Sequence, residues 1–201
     1  MAAAAFALLP LTVQAAPLKV MAFGDSLFAG YGLSSDADNI PSQIEKALKA
    51  EGHDVVVVNA AVSGDTTADG LARIDWSLQD RPDLVLLELG ANDALRGLDP
   101  DRAKANLDQI LARLKQANVA VLLCGMLAPR NLGPAYAAKF DGMYKELADK
   151  YQVPLYPFIL DGVAMDQSLN QADGMHPNKD GALAIAKRLA PAVAKALPAQ
   201  K

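Results

Sequence analysis

The sequence predicts an α/β protein built on one parallel sheet that carries helices on both faces. Short apolar runs typical of buried strands alternate along the 201 residues with stretches whose apolar residues recur at helical spacing. No two of the predicted strands lie close enough in sequence for a tight hairpin. Each strand therefore connects to the next through a helix, which is the pattern of a parallel sheet.

Five stretches have the composition of strands. The second contains four consecutive valines, which is typical of a strand covered on both faces. The fifth has Pro154 near its start, a position that strands tolerate. The predicted strands are 19–23, 54–60, 83–89, 119–125 and 153–158.

The intervening stretches predict helices. The clearest is 101–117, whose apolar residues form a single stripe along one face. A short helical stretch ends near Leu78, and a longer helix runs from the end of the loop 126–133 to about residue 151. The remaining predicted helices are 40–51 and 179–196, and residues 161–175 are expected to be irregular.

Composition limits the classes of function. A chain of this length that is 52% hydrophobic can bury one core, so we expect a single domain over 17–201. The net charge of −4 argues against nucleic acid as a partner. Cys124 lies in a predicted buried strand, and one cysteine with two histidines cannot form a zinc-type cluster. We therefore expect neither a metal nor a cofactor.

Residues 1–16 have the pattern of a secretory signal peptide. They are nearly all apolar and end in small residues at the spacing of a cleavage site near Ala15 or Ala16. No later stretch is apolar enough to span a bilayer, so we expect a periplasmic or secreted protein that does not insert into the membrane. No basic residue precedes the apolar run, and the alternatives are a truncated start or a disordered tail.

Polar residues follow the predicted strands at one edge of the sheet. Ser26 follows strand one, Gly64 strand two and Asn92 strand three, while Asp173 and His176 follow strand five. The loops that leave parallel strands share one edge, so these residues are expected to meet in one crevice. Each also has an ordinary interpretation, because Asp, Ser, Asn and Gly form many turns and caps.

The two histidines differ in their expected positions. His53 lies between a helix and the strand that follows, which places it at the opposite edge from Ser26. His176 is then the only imidazole available to activate Ser26 as a nucleophile. Asp173 is three residues away across a glycine turn, close enough to hold one ring nitrogen. Asn92 and the backbone N–H groups of Ser26 and Gly64 are candidate oxyanion donors.

These motifs resemble the GDSL, or SGNH, hydrolases. The Gly-Asp-Ser-Leu stretch at 24–27 is similar to the first family block, and Gly64 lies in a stretch similar to the second. The Gly-Ala-Asn-Asp stretch at 90–93 is similar to the third block, and the stretch 173–177 is similar to the fifth. The blocks occur in the family order, and the likeness extends from about Lys19 to the last helix.

The resemblance implies a flavodoxin-like, three-layer α/β/α fold with five strands in the order 2-1-3-4-5. It implies Ser26 as nucleophile, His176 as base and Asp173 as orienting acid, with Ser26, Gly64 and Asn92 as oxyanion donors. The likeness is strongest to the bacterial arylesterase and thioesterase I/lysophospholipase branch. The loop 127–140 is similar to the family loop that borders the acyl pocket, which implies a substrate-binding role for its members Leu132, Gly133, Pro134 and Tyr136.

The leading hypothesis is therefore a serine esterase or thioesterase for small to medium acyl groups. A carbohydrate O-acetyl esterase is an alternative, ranked lower because aromatic residues make up only 5% of the chain. A non-catalytic, flavodoxin-like binding module is a third possibility. Its Gly-rich loop would contain Gly24, Gly30 and Gly32, which match neither phosphate-loop nor dinucleotide spacing.

Overall fold

A parallel sheet lies at the centre of the computed structural model, which describes residues 16–199. The strands of this described region are β1 (Leu18–Phe23), β2 (Val55–Asn59), β3 (Leu84–Glu88), β4 (Ala120–Cys124) and β5 (Leu155–Tyr156). Their order in the sheet is β2-β1-β3-β4-β5, as the resemblance implied. Each neighbouring pair is parallel.

Helices connect successive strands and pack against the sheet in two groups. The α-helices in the described residues are α1 (Ser26–Ala29), α2 (Ile40–Ala50), α3 (Thr67–Ser77), α4 (Ala91–Leu95), α5 (Pro100–Gln116), α6 (Pro134–Tyr151) and α7 (Lys179–Ala196). In one group α2 packs on α7, and in the other α5 packs on both α3 and α6. The short helices α1 and α4, which the apolar periodicity does not predict, begin just after β1 and β3.

The direction in which the chain crosses the sheet explains the two groups. From β1 the chain moves to β2 at one edge, and from β2 it passes back over β1 to β3 and onward. Right-handed crossovers in opposite directions place their helices on opposite faces. The reversal occurs between β1 and β3, and in open α/β sheets ligands bind beyond the carboxyl ends of the strands at this position.

Two details of the predicted strands were wrong. The valine-rich β2 is half exposed, with Val56 40% accessible, because it is an edge strand that packs on α2. The fifth strand was predicted over 153–158 but contains only two residues. Pro154 and Pro157 flank it, and a proline has no N–H with which to extend the ladder.

The predicted signal peptide falls largely outside the described region, since residues 1–15 are not among those that the structure describes. Within 16–199, no helix has the length and apolar character needed to cross a membrane. No group of three or more His, Cys, Asp or Glu side chains in this same range could hold a metal ion.

Candidate active site

Ser26 stands at the sharp turn between β1 and α1. It is the first residue of α1, and the Asp25 carboxylate caps the helix by accepting the Leu27 N–H at 3.1 Å. Gly24 allows the chain to pass close to the end of β3, because a Cβ at that position would lie 2.6 Å from the Glu88 carbonyl oxygen. The turn leaves the Ser26 side chain partly accessible above a buried strand end.

His176 and Asp173 meet Ser26 from the loop before α7. The Nε2 atom of His176 lies 2.9 Å from Ser26 Oγ, and its Nδ1 atom lies 2.6 Å from Asp173 Oδ2. Asp173 also accepts the backbone N–H groups of Met175 and His176 through Oδ1. The structure thus joins residues 150 positions apart in sequence into one hydrogen-bonded path.

The turn at 173–176 also determines the charge of Asp173. Its pKa is lowered to about 2, first by the backbone N–H of His176 and then by the His176 side chain and the Met175 N–H. Hydrogen bonds to the ionised form favour that form. Asp173 is therefore a carboxylate throughout the neutral range, facing Nδ1 of the imidazole.

Tyr31 contacts the imidazole from another side, which the sequence analysis did not anticipate. Its ring centroid lies 4.7 Å from that of His176, in a tilted arrangement. The side chain of Gln171 donates to the carbonyl oxygens of Tyr31 and Pro177, which links the Tyr31 loop to the histidine loop. No local pattern marks Tyr31 for this position, because the contact spans most of the chain.

Asn92 lies on α4, at the carboxyl end of β3. Gly90 occupies the N-cap position, and the Asn92 side chain makes no capping bond to α4. Instead, its Nδ2 group donates to Asp25 Oδ2 at 3.1 Å and to the Asp65 carbonyl oxygen at 3.0 Å. The side chain therefore bridges the Ser26 turn and the turn that contains Gly64.

Gly64 occupies a turn that only glycine adopts readily, with φ of +89°. Among the described residues, the backbone N–H groups of Ser26 and Gly64 have no hydrogen-bond acceptor. The structure thus brings the turns of Ser26, Gly64 and Asn92 together at one edge of the sheet.

Beneath this edge lies a buried pair of carboxyl groups. Asp25 and Glu88 are 0% and 1% exposed, and Glu88 Oε2 accepts the Asp25 N–H at 3.2 Å. Burial raises the pKa of Asp25 to about 6, although hydrogen bonds from Leu27 and Asn92 and the nearby His176 oppose the shift. Burial also raises the pKa of Glu88 well above its ordinary value, and the charge of Asp25 adds to that effect.

The Gly-Asp-Ser pattern predicts no more than a turn or cap role for Asp25, and Glu88 is not among the predicted site residues. The cap is present, but the burial of Asp25 arises from tertiary packing. A signal for Glu88 did exist, because it is a single charged residue inside the apolar run of the third strand. A charged residue there requires a partner or a proton.

Other predicted residues lie apart from this path. His53 precedes β2 and is half-buried in the turn after α2, at the opposite edge of the sheet from Ser26. Cys124 is buried, and burial raises the pKa of its thiol far above its usual range. Of the predicted substrate loop, Tyr136 donates through its hydroxyl to the Leu98 carbonyl oxygen, in the segment that follows α4.

The remaining members of that loop are Leu132, Gly133 and Pro134. They lie at the junction of a short 3-10 turn with α6. Among the described residues, no hydrogen bond joins them to Ser26 or His176. Their role toward a substrate stays a prediction.

Comparison with known proteins identifies the family. The model of the GDSL-like lipase/acylhydrolase family matches residues 22–184, a range that includes Ser26, Gly64, Asn92, Asp173 and His176. The chain belongs to this family. It is accordingly an enzyme that hydrolyses ester bonds, and the sequence-based identification is confirmed.

Individual relatives support the same conclusion over nearly the whole chain. Esterase TesA of Pseudomonas aeruginosa is 41% identical, over 91% of this chain and 89% of its own length. The arylesterase of Vibrio mimicus is 39% identical, over 89% of this chain and 90% of its own length.

A solved structure, that of the SGNH-hydrolase family esterase AlinE4, superposes with a TM-score of 0.77. It is 46% identical and covers 92% of this chain and 100% of its own. The three-layer fold is thereby confirmed.

Proposed function

We propose that this hydrolase cleaves carboxylic esters, and also thioesters, of small to medium acyl groups through an acyl-enzyme on Ser26. The observation that carries this proposal is the path from Ser26 Oγ through both imidazole nitrogens to Asp173. Both distances are within hydrogen-bonding range, and the carboxylate is anchored by two backbone N–H groups.

The chemistry follows from the order of these groups. Ser26 Oγ attacks the carbonyl carbon while its proton moves to Nε2 of His176. Asp173 holds Nδ1–H and stabilises the imidazolium that results. The imidazolium then gives the proton to the departing alcohol or thiol. Water repeats the sequence on the acyl-enzyme, which releases the carboxylic acid and restores Ser26.

The negative charge on the substrate oxygen would be met by N–H groups at the same edge. The backbone N–H groups of Ser26 and Gly64 have no other described acceptor. Asn92 already donates to Asp25 Oδ2 and to the Asp65 carbonyl oxygen. Its N–H toward Asp65 must therefore be shared with the substrate oxygen, or transferred to it, as charge develops. Such donors are fixed before the reaction begins, so little reorganisation is needed.

Exposed apolar side chains at the same edge of the sheet as Asn92 support an acyl substrate. Leu95 lies one turn after Asn92 on α4 and is 57% exposed, and Leu98 follows it at 42% exposed. Leu127 comes shortly after β4, at the same edge of the sheet, and is 38% exposed. Tyr136 fastens the Leu98 segment to α6. Such a surface suits an acyl chain of modest length, which contacts it by hydrophobic burial.

A serine-directed phosphonate tests the proposal. We expect one adduct per chain, at Ser26, with loss of activity toward p-nitrophenyl butyrate and toward the matching butyryl thioester. Ser26→Ala should prevent the labelling and abolish both activities, whereas Ser168→Ala, in the exposed turn at Asp166, should leave both unchanged. Labelling at another residue, or an active Ser26→Ala variant, would refute the assignment.

We also propose that residues 1–16 direct export and are removed, which places the mature enzyme in the periplasm or the medium. The proposal rests on the apolar run and on the small residues at its end. The mass of the N-terminal peptide of enzyme exported by a native host tests it, because an intact Met1 would contradict cleavage.

A further inference from the structure

Arg73 makes an unusual set of contacts at the edge of the sheet. It lies on α3, and its three guanidinium nitrogens each have a different acceptor. Nε donates to Asp65 Oδ2 at 2.6 Å, Nη1 to the Ala60 carbonyl oxygen at 2.6 Å, and Nη2 to the Gly24 carbonyl oxygen at 3.1 Å. The guanidinium carbon also lies 3.9 Å from the centroid of the Phe23 ring.

These acceptors belong to the segments that carry the proposed oxyanion donors. Gly24 precedes the Ser26 turn by two residues, and Asp65 is the residue after Gly64. The Asp65 carbonyl oxygen in turn accepts the Asn92 side chain at 3.0 Å. The Arg73 side chain thus contacts the Ser26 turn directly at Gly24 and the Gly64 turn at Asp65. It is linked to Asn92 indirectly, because Asp65 also accepts the Asn92 side chain.

We propose that Arg73 is a positioning residue that fixes the three oxyanion donors relative to one another. This inference rests on the proposed function, because it assigns work to Arg73 only if Ser26, Gly64 and Asn92 meet a substrate oxygen. Arg73 itself does not contact the reacting atoms; it acts on the segments that do.

The chemistry of the guanidinium suits this role. Its planar, rigid fork can hold acceptors that lie in different directions, and it stays charged at all relevant pH values. The Arg73 and Asp65 side chains are only 20% and 12% exposed, so water competes weakly for the contacts. A lysine at position 73 could keep the ion pair with Asp65, but a single ammonium cannot also reach both carbonyl oxygens or stack on Phe23.

Other contacts hold α3 independently of Arg73. Thr66 and Asp69 form a reciprocal capping box at its start, and the buried Asp93 carboxylate accepts both the N–H and the hydroxyl of Thr67. A change at Arg73 should therefore leave the helix in place. Its effect should appear at Gly24, Ala60 and the Asp65 side chain, since among the described residues only Arg73 connects these three groups to α3 through side-chain hydrogen bonds.

The test compares two Arg→Lys changes that both touch α3. Arg73→Lys replaces the guanidinium that contacts Asp65, Ala60 and Gly24. Arg113→Lys is the matched control, because Arg113 reaches α3 from α5 through Asp75 and the Leu71 carbonyl oxygen, away from the donors. The measurements are kcat and KM for p-nitrophenyl butyrate, and the inhibition constant of butylboronic acid, which forms a tetrahedral adduct on Ser26 Oγ as the serine proton moves to His176.

For Arg73→Lys we expect kcat to fall about a hundred-fold, as for a displacement of roughly 1 Å in a catalytic constellation. KM should change by less than about threefold, and the boronate inhibition constant should rise in parallel with the loss in kcat, because both depend on the donors. Arg113→Lys should stay within about twofold on all three measures. A kcat for Arg73→Lys within twofold of the wild type, at a temperature where the variant is folded, would overturn the proposal.

A double-variant measurement separates positioning from stability. In an Asn92→Ala background, Arg73→Lys should lower kcat by clearly less than it does alone, because one of the donors that Arg73 positions is already absent. Effects that multiply fully would overturn the link to Asn92. Should Arg73→Lys fail to fold, Asp65→Ala removes the Nε acceptor but keeps the Asp65 carbonyl oxygen. It should lower kcat about tenfold, and an unchanged kcat would refute the proposal.

Failure of this inference can be told from failure of the proposed function. A wild-type protein that neither labels at Ser26 nor hydrolyses the ester would refute the function itself. A wild-type protein that does both, beside an Arg73→Lys variant of unchanged kcat and boronate affinity, would refute only the positioning role.

Discussion

Asp173 and Asp25 lie on two sides of Ser26 and differ in almost every physical property. Asp173 belongs to a solvated turn, where its side chain is 33% exposed and its pKa is lowered to about 2. Asp25 is fully buried, and its pKa is raised to about 6. Both accept backbone N–H groups and both contact another side chain of the site.

The comparison shows that burial outweighs hydrogen bonding in setting the pKa of Asp25, whereas hydrogen bonds set the pKa of the solvated Asp173. N–H donors stabilise the carboxylate form in both turns, but only Asp25 also loses its solvation. Asp173 can therefore serve as a permanent negative charge for an imidazolium. Burial raises the pKa of both Asp25 and Glu88, and Asp25 offers Asn92 a fixed acceptor.

The largest effect is expected at the exposed aspartate. Asp173→Asn should lower kcat by about 10⁴-fold with the fold intact, because an amide donates to Nδ1 and leaves Nε2 protonated, unable to take the serine proton. Steady-state kinetics measure the loss in kcat, and the melting temperature shows whether the fold is intact. Asp166→Asn, in a similar turn away from Ser26, is the matched control and should retain full activity. A loss below tenfold for Asp173→Asn would remove the distinction between the two aspartates.

A smaller effect is expected at Asn92, the side chain that Asp25 holds. Asn92→Ala should lower kcat about 10²- to 10³-fold, or roughly 3–4 kcal/mol, because one oxyanion donor is lost. KM and the melting temperature should change little. Asn92→Asp should be at least as damaging, since a carboxylate would repel both Asp25 and the oxyanion. Normal kcat with a lowered melting temperature would instead indicate a structural role.

The smallest effect on activity is expected at Glu88. Glu88→Gln should keep kcat within about threefold, because the amide oxygen can accept the Asp25 N–H as the carboxyl oxygen does. The substitution should instead change how the free energy of unfolding depends on pH. Since the pKa of Glu88 is raised in the folded state, the folded wild type retains a proton that the unfolded chain releases above its ordinary pKa of 4.5.

The sign of that dependence follows directly. The contribution of Glu88 to the free energy of unfolding falls as pH rises from 4.5 toward the raised folded pKa. Glutamine has no proton to lose, so the stability of Glu88→Gln relative to the wild type should increase over that range. Urea titrations at a series of pH values measure the difference. Glu146→Gln, at an exposed position on α6, should show no such trend, and a flat difference for Glu88→Gln would contradict the raised pKa of Glu88.

Much of the fold and of the candidate site could be predicted from the sequence, because the signals are local. Four consecutive valines predict β2 and the apolar stripe predicts α5, while the glycine turn puts Asp173 within reach of His176. The loops of a parallel sheet alternate between its two ends, which is why the sequence places His176 and His53 at opposite ends. Periodicity also predicted α7 over 179–196, the bounds that the structure has.

What only the tertiary structure decided depends on distant segments meeting. The sequence could not indicate that Asp25 would lose its solvent, that Glu88 would lie beside it, or that Arg73 would connect the ends of β1 and β2. It also could not give the exposure of β2, because apolar composition is similar in edge and central strands. Local pattern determines which elements form, whereas desolvation and long-range hydrogen bonds depend on what packs around each residue, and these set the charges and positions of the polar groups at the site.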